Sequence, residues 1–90
     1  MDDQQKSSHS NEIGAVQCKM ARVALGWGVR DLAEAADVAT QTITRMEKGD
    51  RLKPQTVQAI RAALETAGIE FIPENGGGPG VRLARSSKKT

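Results

Sequence analysis

Apolar residues recur along this chain with a helical period over four stretches, then with a two-residue period near its end. The first stretch, Glu12 to Leu25, places Cys18, Ala21, Arg22 and Leu25 on one stripe, with Ile13 and Val16 leading in and Gly14 in its opening turn. Between Val29 and Lys48, Leu32, Ala33 and Ala36 share one helical face, and Ile43 and Met46 share another. Val38 and Asp37 lie between the two, where the chain must reverse. A left-handed residue is usual at such a point, and Asp accepts that conformation better than most non-glycines. The fourth stretch, about Gln55 to Ala67, carries Val57, Ile60, Leu64 and Ala67 on one stripe. Pro54 suits its first turn, and Gly26, Gly49 and Gly68 close the first, third and fourth helices. Trp27 is expected to pack over the junction of the first two helices. Ile69 to Ile72 and Val81 to Arg85 read as two strands around the glycine-rich loop Pro73 to Gly80. Ile69 and Phe71 share one face of the first strand, and Val81 and Leu83 one face of the second.

Two short helices joined by a tight turn, with the small Ala33 where they must cross closely, specify a helix-turn-helix whose second helix, from about Ala39 or Thr40 to Lys48, lies in a DNA major groove. Off its buried stripe lie Thr40, Gln41, Thr44 and Arg45. Gln can bond adenine at two atoms, Arg can do the same to guanine, and a Thr methyl can touch the thymine methyl.

The stretch VRDLAEAADVATQTITRMEK, with LGW before it and EKGDRLKP after it, resembles the phage repressor/Cro-type (XRE) helix-turn-helix family over roughly Gln17 to Gly68. The resemblance implies a mainly α fold, a compact four-helix lambda-repressor-like domain lacking the family's fifth helix, here followed by a two-stranded β extension. It implies a transcriptional regulator whose partner is double-stranded DNA, with base readout by Thr40, Gln41, Thr44 and Arg45. Phosphate contacts are expected from Arg30, Lys48, Arg51, Lys53, Gln55 and Thr56, the last two helped by helix N-terminal amides. In the family an Arg at the position of Arg22 pairs with a Glu near the end of the recognition helix, here Glu47. Small members bind two-fold operators as dimers, with recognition helices about 34 Å apart. Two departures stand out. Asp37 occupies the turn position where the family usually has Gly, and Val29 replaces the polar residue, often Gln, that touches a phosphate.

The chain has 90 residues and a net charge of +2, which bounds it to one small domain with arms. A core of this size is marginal, so a second chain would help. With one Trp, one Phe and no Tyr, that core must be aliphatic and alanine-rich. The expected organisation is a disordered polar arm over 1–11, a DNA-binding domain over 12–68, a hairpin over 69–85 and a basic tail over 86–90. A lone hairpin is marginal in water, so it must pack on the helices or pair with another chain. A homodimer through Phe71, Ile72, Val81 and Leu83 is the expectation, with repression of transcription by excluding polymerase. The alternative is an antitoxin or other protein-binding module whose hairpin engages a protein partner.

Other chemistries find little support. The glycine-rich loop lacks the Gly-Lys-Ser/Thr ending of a phosphate loop and runs into a strand. The one His and one Cys lie far apart, on segments read as arm and core, and no metal spacing or nucleophile elbow is present. No catalysis, cofactor or metal is expected. Cys18 reads as a small core hydrophobe. No run is apolar and long enough for a membrane span or signal segment, so a cytoplasmic protein of bacterial or phage type is expected.

Overall fold

A computed structural model describes residues 13–73 and 76–84, and within them four helices precede one antiparallel hairpin. The helices are α1 (Ala15–Ala24), α2 (Val29–Ala36), α3 (Thr40–Glu47) and α4 (Pro54–Thr66); the strands are β1 (Ile69–Ile72) and β2 (Gly80–Leu83). The expected arm over 1–11, Arg85 and the basic tail lie outside the described residues.

The apolar stripes converge as the pattern requires. Leu32, Ile43, Ile60, Leu64 and Cys18 are fully buried, joined by Ala21, Ala33, Ala36 and Met46. Truncating one of the large aliphatic side chains to Ala in such a core costs about 2–5 kcal/mol. Trp27 is half-buried against this core. It shares a groove with Ala35 and Ala36 of α2 and Ala59 and Ala63 of α4, so it reaches beyond the junction of the first two helices.

Three elements begin at residues other than those expected from the sequence, each for a local reason. The first helix was expected from Glu12 to Leu25, but Gly14 is extended (φ −93°, ψ 172°) and acts as N-cap, so the helix starts at Ala15. The fourth helix takes in Pro54 as its first residue, because a proline lacks only an N–H that the first turn leaves unbonded anyway. The second strand was expected over Val81 to Arg85. It runs instead from Gly80 to Leu83, since Gly80 pairs with Ile72 and Leu83 with Ile69. Ala84 follows the strand, and its N–H still donates to Gly68 O at 2.6 Å.

The hairpin shares the helices' core. Ile69 is buried, Phe71 and Val81 pack against the same cluster, and β1 lies on α4 while β2 lies on α1. Of the four residues expected at a dimer contact, Phe71, Ile72 and Val81 are half-buried within this chain and Leu83 is 50% exposed. The other large exposed apolar residues, among those described, are Val16, Met20 and Val23 on the outer face of α1.

One buried amide ties the hairpin down. Gln17 donates from Nε2 to Gly80 O at 3.1 Å and to Ile72 O at 3.4 Å, the two residues that face each other at the loop end of the ladder. Its Oε1 accepts from Gly14 N–H at 3.0 Å. All three bonds use groups that would otherwise lose their water on burial. Gln17→Leu, which keeps the volume and removes the bonds, is expected to lower stability by about 1–3 kcal/mol. Amide exchange in β1 and β2 should then accelerate more than exchange in α3. Equal protection in both strands before and after the change would show that the amide is not the tether.

Candidate nucleic-acid interface

The helix-turn-helix is set by how α2 stops. α2 starts after Gly28, whose N–H donates to the Asp31 carboxylate at 2.8 Å. Glycine has no side chain to return the bond, so this is half of a capping box, though the Asp31 charge also suits the positive end of the helix. At the other end Asp37 takes the left-handed conformation (φ 60°, ψ 48°) and is the sole non-glycine with positive φ among the described residues. Val38 N–H donates back to Ala33 O at 2.9 Å, and Asp37 N–H to Glu34 O at 3.2 Å. These two bonds close the helix and turn the chain into Ala39, the extended N-cap of α3. Asp37 therefore performs the role that the family usually gives to glycine.

On α3, Ile43 and Met46 face the core while Thr40, Gln41, Thr44 and Arg45 are exposed. Thr44 spends its hydroxyl on Thr40 O at 3.3 Å. The Gln41 amide has no hydrogen bond among the described residues, so both its donor and its acceptor are available. Arg45 Nε lies 3.3 Å from Asp50 Oδ2. Of the six expected phosphate ligands, Arg30, Lys48, Arg51, Lys53 and Gln55 are exposed and Thr56 is half-buried. A groove of about 520 Å³ between α3 and the start of α4 brings Arg45, Arg51, Lys53 and Thr56 together, with Thr42 and Ala39 on its wall. Arg30 on α2, Lys48 and Gln55 do not line it.

Behind this face, Arg22 of α1 holds the last residue of α3. Arg22 Nε donates to Glu47 Oε2 at 2.8 Å and Nη2 to Glu47 Oε1 at 2.9 Å, a two-point pair with the side chains only 13% and 10% exposed. Nη1 donates to Trp27 O at 2.9 Å. The hydrogen bond to Glu47 raises the Arg22 pKa further, outweighing the opposing effect of burial. Cys18 Sγ is 3.6 Å from Glu47 Oε2. Burial, followed by the charge of Glu47 and the hydrogen bond to it, pushes the Cys18 thiol up to about 12 from 9.0.

Two participants were not singled out from the sequence. Gln17 sits beside Cys18 and one turn before Ala21, so an amide on the buried stripe was the available signal. Asp50 follows the helix-ending Gly49 directly, and its tie to Arg45 needed the geometry of that turn.

Residues 19–71 match the family model described as helix-turn-helix, more than half of the chain. The matched segment runs from the middle of α1 through both motif helices and α4 into β1. Comparison with curated proteins returned no match. Among the described residues no group of His, Cys, Asp and Glu is placed to hold a metal ion, and no helix is long and apolar enough to cross a membrane.

Removing one partner of the Arg22–Glu47 pair leaves a charge with little water and no counter-charge. Glu47→Gln is therefore expected to lower the unfolding free energy by about 2–3 kcal/mol. An unchanged urea midpoint would mean that the pair contributes nothing. The Cys18 thiol gives a second check with a definite sign. A folded-state pKa raised from 9.0 to about 12 contributes stability that is complete below pH 9 and is lost as pH climbs towards 12. Unfolding curves across that range should show an alkaline loss that Cys18→Ala lacks. The native thiol should also resist alkylation at neutral pH.

Proposed function

This chain belongs to the XRE-type helix-turn-helix family of DNA-binding regulators of transcription, and on that premise we propose that it recognises one duplex sequence through α3 and acts as a homodimeric repressor on a two-fold operator. The observation that carries the sequence-specific part is the division of α3 into two faces. Ile43 and Met46 are buried, which turns Thr40, Gln41, Thr44 and Arg45 to solvent with bond-forming groups of the kinds that base edges accept. Bases are read by these four side chains. Arg30, Lys48, Arg51, Lys53, Gln55 and Thr56 hold the phosphates on either side of the groove, which fixes register without reading sequence.

The grouping of Arg51 and Lys53 with Arg45 in one groove supports this division, because a backbone passing the start of α4 would then lead a base edge towards α3. The dimer is supported by surface chemistry. Leu83 on β2 and Val16, Met20 and Val23 on α1 leave apolar area in water that a second copy would cover. With Phe71 and Val81 already committed to the chain's own core, Leu83 and Ile72 are the hairpin residues left for that contact. Repression by occupancy needs no further surface, since a bound dimer excludes polymerase by volume.

Binding to DNA from upstream of the protein's own gene, measured across a salt series beside random duplex, tests this. Arg45→Ala and Gln41→Ala should each erase preference worth about 1–3 kcal/mol while leaving salt-sensitive background binding. Arg51→Ala should weaken all sequences alike and reduce the salt slope by about 1. Sedimentation of the same samples without DNA should give twice the chain mass at micromolar concentration. No preference by the native protein, matched by all the variants, would overturn the sequence-specific reading, and a single-chain mass would overturn the dimer.

A further inference from the structure

Asp50 is not among the residues proposed to touch DNA, yet two independent contacts fix it against one that is. Its backbone N–H donates to Arg45 O at 3.0 Å, and Gly49 N–H donates to Met46 O at 3.1 Å. Together they wrap the end of α3 around Gly49, whose φ of +93° a residue with a Cβ would adopt only under strain. The same turn delivers the Asp50 carboxylate to Arg45, with Oδ2 3.3 Å from Nε. Both side chains are about half exposed, at 57% for Arg45 and 48% for Asp50, so the pair sits on the surface that carries the outward face of α3. Among the described residues, no other hydrogen bond holds the Arg45 side chain.

We propose that Asp50 is a positioning residue: it holds Arg45 by Nε so that the two terminal nitrogens point into the major groove, and this sets a preference for guanine at the base pair facing Arg45. The inference rests on the proposed reading of bases by α3 and adds which base is read there and why. An arginine carries five N–H donors in a planar fork and can present either its side, Nε with one terminal nitrogen, or its end, the two terminal nitrogens. Asp50 occupies the side. The end that remains is a pair of donors, and guanine alone offers two acceptors, O6 and N7, to match it. Adenine places a donor beside its N7 and leaves one arginine N–H facing another N–H. Without the carboxylate the guanidinium is free to swing to a phosphate, which every sequence supplies.

The carboxylate has a second effect of opposite sign. It repels phosphates, so removing it strengthens binding to any duplex while it weakens discrimination. That opposition separates positioning from simple charge. An exposed ion pair of this type restrains its partners weakly, so the expected loss of guanine discrimination is about two- to fivefold.

The test uses the full chain and a duplex that the native protein selects from a random-sequence pool. Copies of this duplex carry each alternative base pair at every position. The base pair facing Arg45 is the one at which Arg45→Ala loses its preference. Asp50→Asn, which keeps the size and the backbone bond, is compared with the native chain, Arg45→Ala and the double variant. Melting temperatures are read alongside. The expected result is a two- to fivefold drop in guanine preference at that pair for Asp50→Asn, with equal or tighter binding to random duplex, an unmoved Tm, and no further drop in the double variant. If Arg45→Ala changes preference at no position, or no sequence is selected, base reading by Arg45 fails and the proposal falls with it. If Arg45→Ala loses the guanine preference but Asp50→Asn shifts affinity for all four base pairs equally, base reading stands and Asp50 is only a repelling charge. If Asp50→Asn alters preference as strongly when Arg45 is absent, Asp50 meets a base itself and the positioning role is overturned.

Discussion

The two-point ion pair between Arg22 and Glu47 is the contact on which the placement of the recognition helix depends. α3 is only two turns long and has no side-chain N-cap, so its orientation cannot come from intrinsic helical stability. Ile43 and Met46 seat it on the core, but apolar contact is non-directional and tolerates rotation and sliding. Glu47 is its last residue, and the Arg22 fork fixes both carboxylate oxygens in one plane. The third guanidinium nitrogen binds Trp27 O, so one side chain ties together α1, the α1–α2 connection and the end of α3. Such a pair contributes little net stability compared with a well-packed apolar replacement. Its effect is to admit one arrangement and make the others expensive.

α1 serves a second part of the molecule in the same way. A hairpin of two four-residue strands has too little area of its own to persist in water. Ile69, Phe71 and Val81 give it a share of the helical core, and the Gln17 amide grips two carbonyls at its loop end. Arg22 and Gln17 therefore act as two polar anchors on one ten-residue helix, the first directed at α3 and the second at the sheet. Each donor nitrogen of both side chains has an acceptor, which is why they can sit in largely apolar surroundings.

This division of labour bears on DNA binding. Because the inner face of α3 and its C-terminal carboxylate are occupied within the fold, its outer face carries side chains that the fold does not need. Gln41 is unengaged among the described residues, the Thr44 hydroxyl bonds to its own helix, and Arg45 is held at one nitrogen. The cations proposed to provide non-specific grip lie on other segments, Arg51 and Lys53 before α4 and Arg30 on α2. Under the proposed function, separating grip from reading in this way would let salt weaken the first while the bonds of the second depend on which base is present.

The local elements were legible in the residues themselves. Stripes at helical spacing marked all four helices, alternation marked both strands, and Asp37 announced a left-handed turn, because each depends on neighbours within a few positions in sequence. The XRE-type pattern from LGW to EKGDRLKP carried the identity of the family. The resemblance also named Arg22 and Glu47 as partners, although the chain's own periodicity showed only a charge on an apolar stripe. The tie between Asp50 and Arg45 at the end of α3 was not legible, since it depends on how Gly49 folds the chain back and not on the residue types alone. Nor was the grip of Gln17 on Ile72 and Gly80, whose distance along the chain carries no local signal. Whether Phe71 and Val81 would face a second chain or their own helices was likewise undecided by alternation, which says that a face is apolar but not what covers it. The tertiary structure packs both against the helical core, because burial is a property of where segments meet in space.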